Sequence, residues 1–161
     1  MDKLGIRLRL SRSNDLREMQ EMFMDTVLTV CKDDYSTEQI EAWTSTIENT
    51  QQWLGRIDSQ YFLVAELDHK IVGYASLRDN NYLDLLYVHK DYQRRGIAAV
   101  LYAEMEGEAF KKGAKELQAD VSKTAKPFFE HMGFSVLAEQ RKTIKGVEIT
   151  NYRMAKQLPM Y

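Results

Sequence analysis

Between Tyr82 and Ala99 the chain reads YLDLLYVHKDYQRRGIAA, an apolar strand that runs through a short loop into a helix start. The first turn of a helix leaves backbone N–H groups without partners, and the helix dipole adds positive potential there. Gln93-Arg94-Arg95-Gly96-Ile97-Ala98 adds two guanidinium groups and a glycine that lets the backbone come close to a ligand. Such a turn suits an anion, most naturally a phosphate. It is not a Walker loop, because the G-x-x-x-x-G-K-[ST] spacing is absent. Nor is it the dinucleotide fingerprint, since two of three glycines are missing. Taken alone, the pattern fits an ordinary solvated helix cap equally well.

Asp84 is the only charge inside that strand, and period two puts it on one face with Tyr82, Leu86 and Val88. A carboxylate between apolar neighbours needs a partner or a shifted pKa, and either marks a candidate general base. The competing reading is a hydrogen-bonded structural Asp. Glu66, in a neighbouring strand, is the second candidate. His89 and His131 have suitable chemistry, but their places in a turn and at the end of a short helix predict solvated side chains. Tyr35, Trp43 and Trp53, with Asp33 and Asp34, could give an aromatic groove with an acidic mouth, suited to a cationic amine. Core packing and a solvated turn explain the same residues.

The elements that must position these groups are readable. Ile6, Leu8 and Leu10 alternate with polar residues as in a half-buried strand. After caps at Ser13-Asn14-Asp15, the spacing from Leu16 to Val30 predicts an amphipathic helix. Ser36-Thr37-Glu38-Gln39 is a capping box that starts a second helix. A third helical piece around Ile47 to Leu54 should end near Gly55. Tyr61–Leu67 and Ile71–Leu77 read as a hairpin. Tyr82–Val88, apolar on both faces, is a central strand. A long helix follows, stopped by Gly113. Glu116–Val121 is a strand, and Thr124, Pro127 and Gly133 mark a short helix. Ser135–Arg141 and Val147–Met154 close with a hairpin about Lys145-Gly146. The fold class is mixed α/β (α+β), one domain over 1–161, with a mostly antiparallel sheet flanked by helices.

Composition narrows the function classes. The chain has 161 residues, 44% apolar and 29% charged, with a net charge of −2. That is globular, and it lacks the basic excess of a nucleic-acid or membrane-surface binder. One cysteine, Cys31, excludes an internal disulfide and a thiolate zinc cage. The three histidines show no ligand spacing, so no metal is expected. No secretion signal and no apolar run long enough for a bilayer is visible, which predicts a cytoplasmic setting.

Two blocks then carry a resemblance. V-x-x-x-Y-Q-R-R-G-I-A, from Val88 to Ala98, resembles the acetyl-coenzyme A loop of the GNAT N-acetyltransferase superfamily, Q/R-x-x-G-x-G/A. Ser122-Lys-Thr-Ala125-Lys-Pro-Phe128-Phe129-Glu-His-Met-Gly133-Phe134 is similar to its N-x-x-A-x-x-F/L-Y-x-x-x-G-F block. The element order fits over nearly the whole chain, and Asn151-Tyr-Arg-Met-Ala-Lys156 resembles the ending of small bacterial members.

The resemblance implies transfer of an acetyl group from acetyl-coenzyme A to a primary amine of a small molecule or protein, by a monomer or homodimer. A non-catalytic coenzyme A-binding module of the same fold is the alternative. Leu86, Tyr87 and Val88 would contact the pantetheine arm where the central strands splay. Arg94, Arg95, Gly96, Ile97, Ala98 and Ala99 would hold the pyrophosphate, with Ser122 and Phe129 also on the cofactor. The N–H of Val88 would serve the thioester oxygen. Phe129 stands where many relatives place a tyrosine acid, and Ser122 where they have asparagine. Tyr35, Trp43, Tyr82 and Tyr152 are the acceptor-site candidates.

Overall fold

The computed structural model describes residues 5–159. Its strands are β1 (Arg7–Leu10), β2 (Tyr61–Leu67), β3 (Lys70–Arg78), β4 (Tyr82–Val88), β5 (Glu116–Ser122), β6 (Ser135–Ile144) and β7 (Val147–Gln157). They form one sheet in the order β1-β2-β3-β4-β5-β7-β6. Every pairing is antiparallel except that of β4 with β5. The helices are α1 (Leu16–Val30), α2 (Thr37–Thr44), α3 (Thr50–Ser59), α4 (Ile97–Lys111) and α5 (Lys126–His131). The mixed, mostly antiparallel architecture is the one the sequence predicts.

Period-two alternation sorts the side chains into two cores. On β2, Phe62 and Val64 pack with Met19, Phe23 and Val27 of α1 and Trp53 of α3. Leu63 and Ala65 face the other way, toward Leu101 and Met105 of α4 and Phe129 of α5. Tight two-residue turns hold the hairpins. Asp68 and His69 both adopt positive φ, as do Lys145 and Gly146, the backbone that matches strand twist. The capping box at α2 forms as read: Ser36 Oγ accepts from the Gln39 N–H, and the Gln39 side chain accepts from the Ser36 N–H.

Two local departures matter for the site. The third helix does not stop at Gly55 but continues to Ser59, which carries Arg56 and Gln60 toward the sheet. In β4, Leu85 pairs with Ser76 and Leu83 with Leu77, so Asp84 is an extra, bulged residue. The bulge breaks the expected alternation. Leu86 and Val88 pack in the α4 core, whereas Asp84 meets Arg56 and Gln60 on the α3 side. Asp84 therefore does not share a face with Leu86 and Val88.

Candidate active site

The parallel pairing of β4 with β5 covers only Tyr82↔Gln118 and Leu83↔Ala119. Beyond Leu83 the two strands part, and a cleft of about 650 Å³ opens between them. Ladder phase shows what β4 offers to this gap. The His89 N–H donates to the Val72 carbonyl, and Gly73 lies opposite Val88. Alternation along an antiparallel ladder then turns the N–H groups of Leu86 and Val88 away from β3 and toward the cleft. The Val88 carbonyl is taken by Thr26 Oγ1 (3.2 Å) and by the Gln93 side chain (2.6 Å). The second of these contacts fastens the strand to the loop before α4.

That loop is wound by two left-handed residues, Arg94 at φ 61° and Gly96 at φ 82°. The first helical bond of α4 runs from the Val100 N–H to the Gly96 carbonyl. The N–H groups of Ile97, Ala98 and Ala99 precede it and have no acceptor among the described residues, and all three residues line the cleft. Gly73 on β3 lets this helix start pack close. A Cβ there would lie 3.0 Å from Leu101 and 3.1 Å from Ile97. Arg94, Gly96, Ile97, Ala98 and Ala99 all line the cleft. Arg95 does not; its guanidinium sits over the Tyr92 ring, 5.1 Å from the centroid.

Ser122 and Phe129 border the same end. Ser122 Oγ accepts the Ala125 N–H at 3.0 Å, a local side-chain turn just ahead of α5. Phe129 is buried in edge contact with Phe128 and Phe134.

The other half of the cleft is walled by side chains from α1–α3, the sheet and the β6–β7 hairpin. Phe23, Tyr35, Trp43, Trp53 and Tyr87 meet edge to face, with ring centroids 5.2–6.3 Å apart. The Tyr35 hydroxyl donates to the Thr150 carbonyl and accepts the Lys123 N–H; burial pushes its pKa up to about 12. Tyr82 donates to Asp120 at 2.7 Å. Burial and that carboxylate hold its proton on far above the ordinary range. Burial also opposes the charge of Asp120. Hydrogen bonds from Arg153, Tyr82 and Gln140, with Lys142 nearby, overcome this and keep its carboxyl well below the usual range.

Asp84 lines the cleft with its side chain 12% exposed. Its Oδ2 accepts from Arg56 Nε at 3.1 Å and from the Gln60 amide at 2.8 Å. Glu66 lies outside the lining, hydrogen-bonded to Arg9, which also holds Asp15. Tyr152 is likewise off the lining, under the Lys126 ammonium. Asp33 and Asp34 are not on the lining themselves; Asp34 accepts from Thr124, which is. His89 is buried rather than solvated, its Nδ1 accepting the Asp91 N–H. Burial and the Lys70 charge lower its pKa. His131 is exposed, as read.

Arg56, Asp120, Thr26 and Phe23 were not legible as site residues. Arg56 had one usable signal. It stands three residues after Trp53, so a cation shares the helix face of a buried aromatic. Asp120 had another, as a charge between Ala119 and Val121 in a strand.

Comparison with known proteins agrees with this geometry. Residues 31–156 match a family described as an acetyltransferase (GNAT) domain. The uncharacterized N-acetyltransferase YafP of Escherichia coli K12 is 33% identical over 150 residues, spanning 93% of this chain and 95% of its own. A crystal structure from Rhodopseudomonas palustris, described as a GCN5-related N-acetyltransferase, is 32% identical with a TM-score of 0.93. The match covers 98% of this chain and 99% of that one. The PaiA N-acetyltransferase of Thermoplasma acidophilum, solved with coenzyme A, shares the fold at 24% identity and a TM-score of 0.78, over 95% of this chain and 99% of its own. The chain belongs to the GNAT acetyltransferase family. It is an N-acetyltransferase. Among the described residues, no helix is long and apolar enough to cross a membrane.

Proposed function

We propose that the β4–α4 half of the cleft holds acetyl-coenzyme A and that the aromatic half receives the amine. The observation that carries this is the early parting of β4 and β5. It leaves N–H donors of Leu86 and Val88 in line with the unpaired N–H groups of Ile97, Ala98 and Ala99. A long donor with an anionic end and an amide-rich arm fits such a row. Bound there, acetyl-coenzyme A supplies a thioester whose C–S bond is exchanged for a C–N bond, leaving a free thiol.

This chain's residues supply the rest. The start of α4 and the Arg94 side chain meet the pyrophosphate. The N–H groups of Val88 and Leu86 hold the arm and the thioester oxygen, where negative charge develops during attack. Leu86 is the further of the two from α4 and the nearer to Asp84. Asp84 takes a proton from the entering ammonium, which frees the nitrogen lone pair. No strong acid is needed for the departing sulfur, since a thiol near pKa 8.5 leaves tolerably as thiolate. The ring of Phe129, which has no proton to give, fits that unassisted departure. Neither a nucleic acid nor a membrane surface enters this reading, a cytoplasmic setting suits the unpaired thiol of Cys31, and monomer and homodimer serve equally. Thiol release from acetyl-coenzyme A across a panel of amines tests it. Amine-dependent release supports it, while coenzyme A binding without any release would leave a non-catalytic module.

A further inference from the structure

The acceptor half of the cleft contains an ion pair with unused valences on both members. Asp84 spends only Oδ2, on Arg56 Nε and Gln60. Its Oδ1 has no hydrogen bond among the described residues. Arg56 spends only Nε, and its two terminal nitrogens have no hydrogen-bond partner either. Both side chains are largely buried, 12% and 20% exposed, and both line the cleft. The unused oxygen and nitrogens are not among the buried, unpartnered atoms of the described residues, so they open to the cleft, where a ligand can reach them. A guanidinium with its Nε edge anchored presents the Nη pair as a fixed fork, the geometry that grips a carboxylate.

The surroundings favour an added anion over an added cation. Asp120, the other carboxylate on the lining, already accepts from Arg153, Lys142, Tyr82 and Gln140. Lys142 itself lines the cleft. Around the pair the wall is aromatic: Phe23, Trp43, Trp53 and Tyr87, with the Arg56 guanidinium 5.5 Å from the Trp53 ring centroid.

We infer that the acceptor is a free α-amino acid with a broad apolar or aromatic side chain, its ammonium on Asp84 and its carboxylate on the Arg56 fork. An ammonium and a carboxylate on adjacent carbons match an ion pair whose own charges are adjacent. The side chain then lies along the aromatic wall, where its apolar surface leaves water. The inference rests on the acetyltransferase reading for its chemistry, but the binding geometry stands apart from it.

Three probes separate the contributions: L-phenylalanine, phenethylamine, which lacks the carboxylate, and 3-phenylpropionate, which lacks the amine. In thiol-release assays, L-phenylalanine should exceed phenethylamine in kcat/KM by about tenfold or more. Arg56→Lys keeps the charge but loses the fork, and should bring that ratio close to one. Equal use of the two amines by the wild type, or an unchanged ratio in the variant, would overturn the assignment while leaving acetyl transfer intact. Both tryptophans line the cleft, so their fluorescence reads binding without turnover. If no amine releases thiol, acetyl transfer fails, yet the titration still decides this inference. Weaker binding of L-phenylalanine and 3-phenylpropionate to Arg56→Lys by about tenfold supports it, and unchanged binding sinks it. Should Arg56→Lys not fold, the wild-type preference for L-phenylalanine over phenethylamine, by either readout, remains the deciding result.

Discussion

The two halves of the cleft are built from different materials. The half at β4 and α4 works through backbone: N–H groups at a helix start and along a parted strand, with Gly96 and Gly73 clearing the way. The half under α1–α3 works through side chains brought in from β4, α1, α2, α3 and the β6–β7 hairpin. Backbone recognition tolerates change at most positions but needs a few fixed ones. Side-chain recognition needs many residues, none of which must keep a fixed spacing. One half can therefore serve a shared donor across a family, while the other is free to differ in each member.

The largest expected effect falls on the backbone half. Gly96 adopts φ 82°, where a non-glycine residue costs about 1–2 kcal/mol. Gly96→Glu adds a carboxylate against the diphosphate, so coenzyme A affinity should drop by about two orders of magnitude. A melting shift with coenzyme A equal to wild type would contradict the assignment of this loop.

Asp84→Asn should come next. It should lower kcat/KM by about 10²-fold while coenzyme A binding stays within about twofold. Undiminished turnover with a lower Tm would make Asp84 only the partner of Arg56 and Gln60.

This asymmetry also explains what the sequence revealed. Hairpins, caps and the turn that opens α4 are local, so the Tyr61–Leu67 and Ile71–Leu77 hairpin, the Ser36-Thr37-Glu38-Gln39 box and the Gln93–Ala98 helix start could be read from residue type and spacing. The bulge at Asp84 is not local. It depends on how β3 pairs across the sheet, and simple alternation therefore assigned Asp84 the wrong face. Glu66 was the second candidate base in the sequence, yet Arg9, 57 residues away, captures it outside the cleft. His89 was expected in solvent because a turn normally exposes its side chains. Here the ring is buried and packs edge-on against Tyr92.

Smaller effects sharpen the contrast. The Asp120 carboxyl is held below its ordinary value in the folded chain. Its contribution to stability is then present above the unfolded pKa of about 4 and fades as pH falls below it. The Tm gap between wild type and Asp120→Asn should accordingly narrow from pH 7 to pH 3. A gap that holds constant would remove the carboxylate's charge from the account. Smallest of all, Phe129→Tyr should leave coenzyme A affinity within about twofold and change kcat by less than about tenfold, below the usual gain from general acid catalysis. A larger rise in kcat would mean that sulfur departure limits the wild-type reaction.

The central claim is that one parted strand pair seats the donor and delivers its reactive end to Asp84. A crystal structure of the protein with coenzyme A bound tests this most directly. The account predicts pyrophosphate oxygens at the N–H groups of Ile97, Ala98 and Ala99. It places the arm between β4 and β5, with the sulfur beside Leu86 on the way to Asp84. A pyrophosphate seated away from α4, or a sulfur pointing away from the Asp84–Arg56 pair, would contradict it.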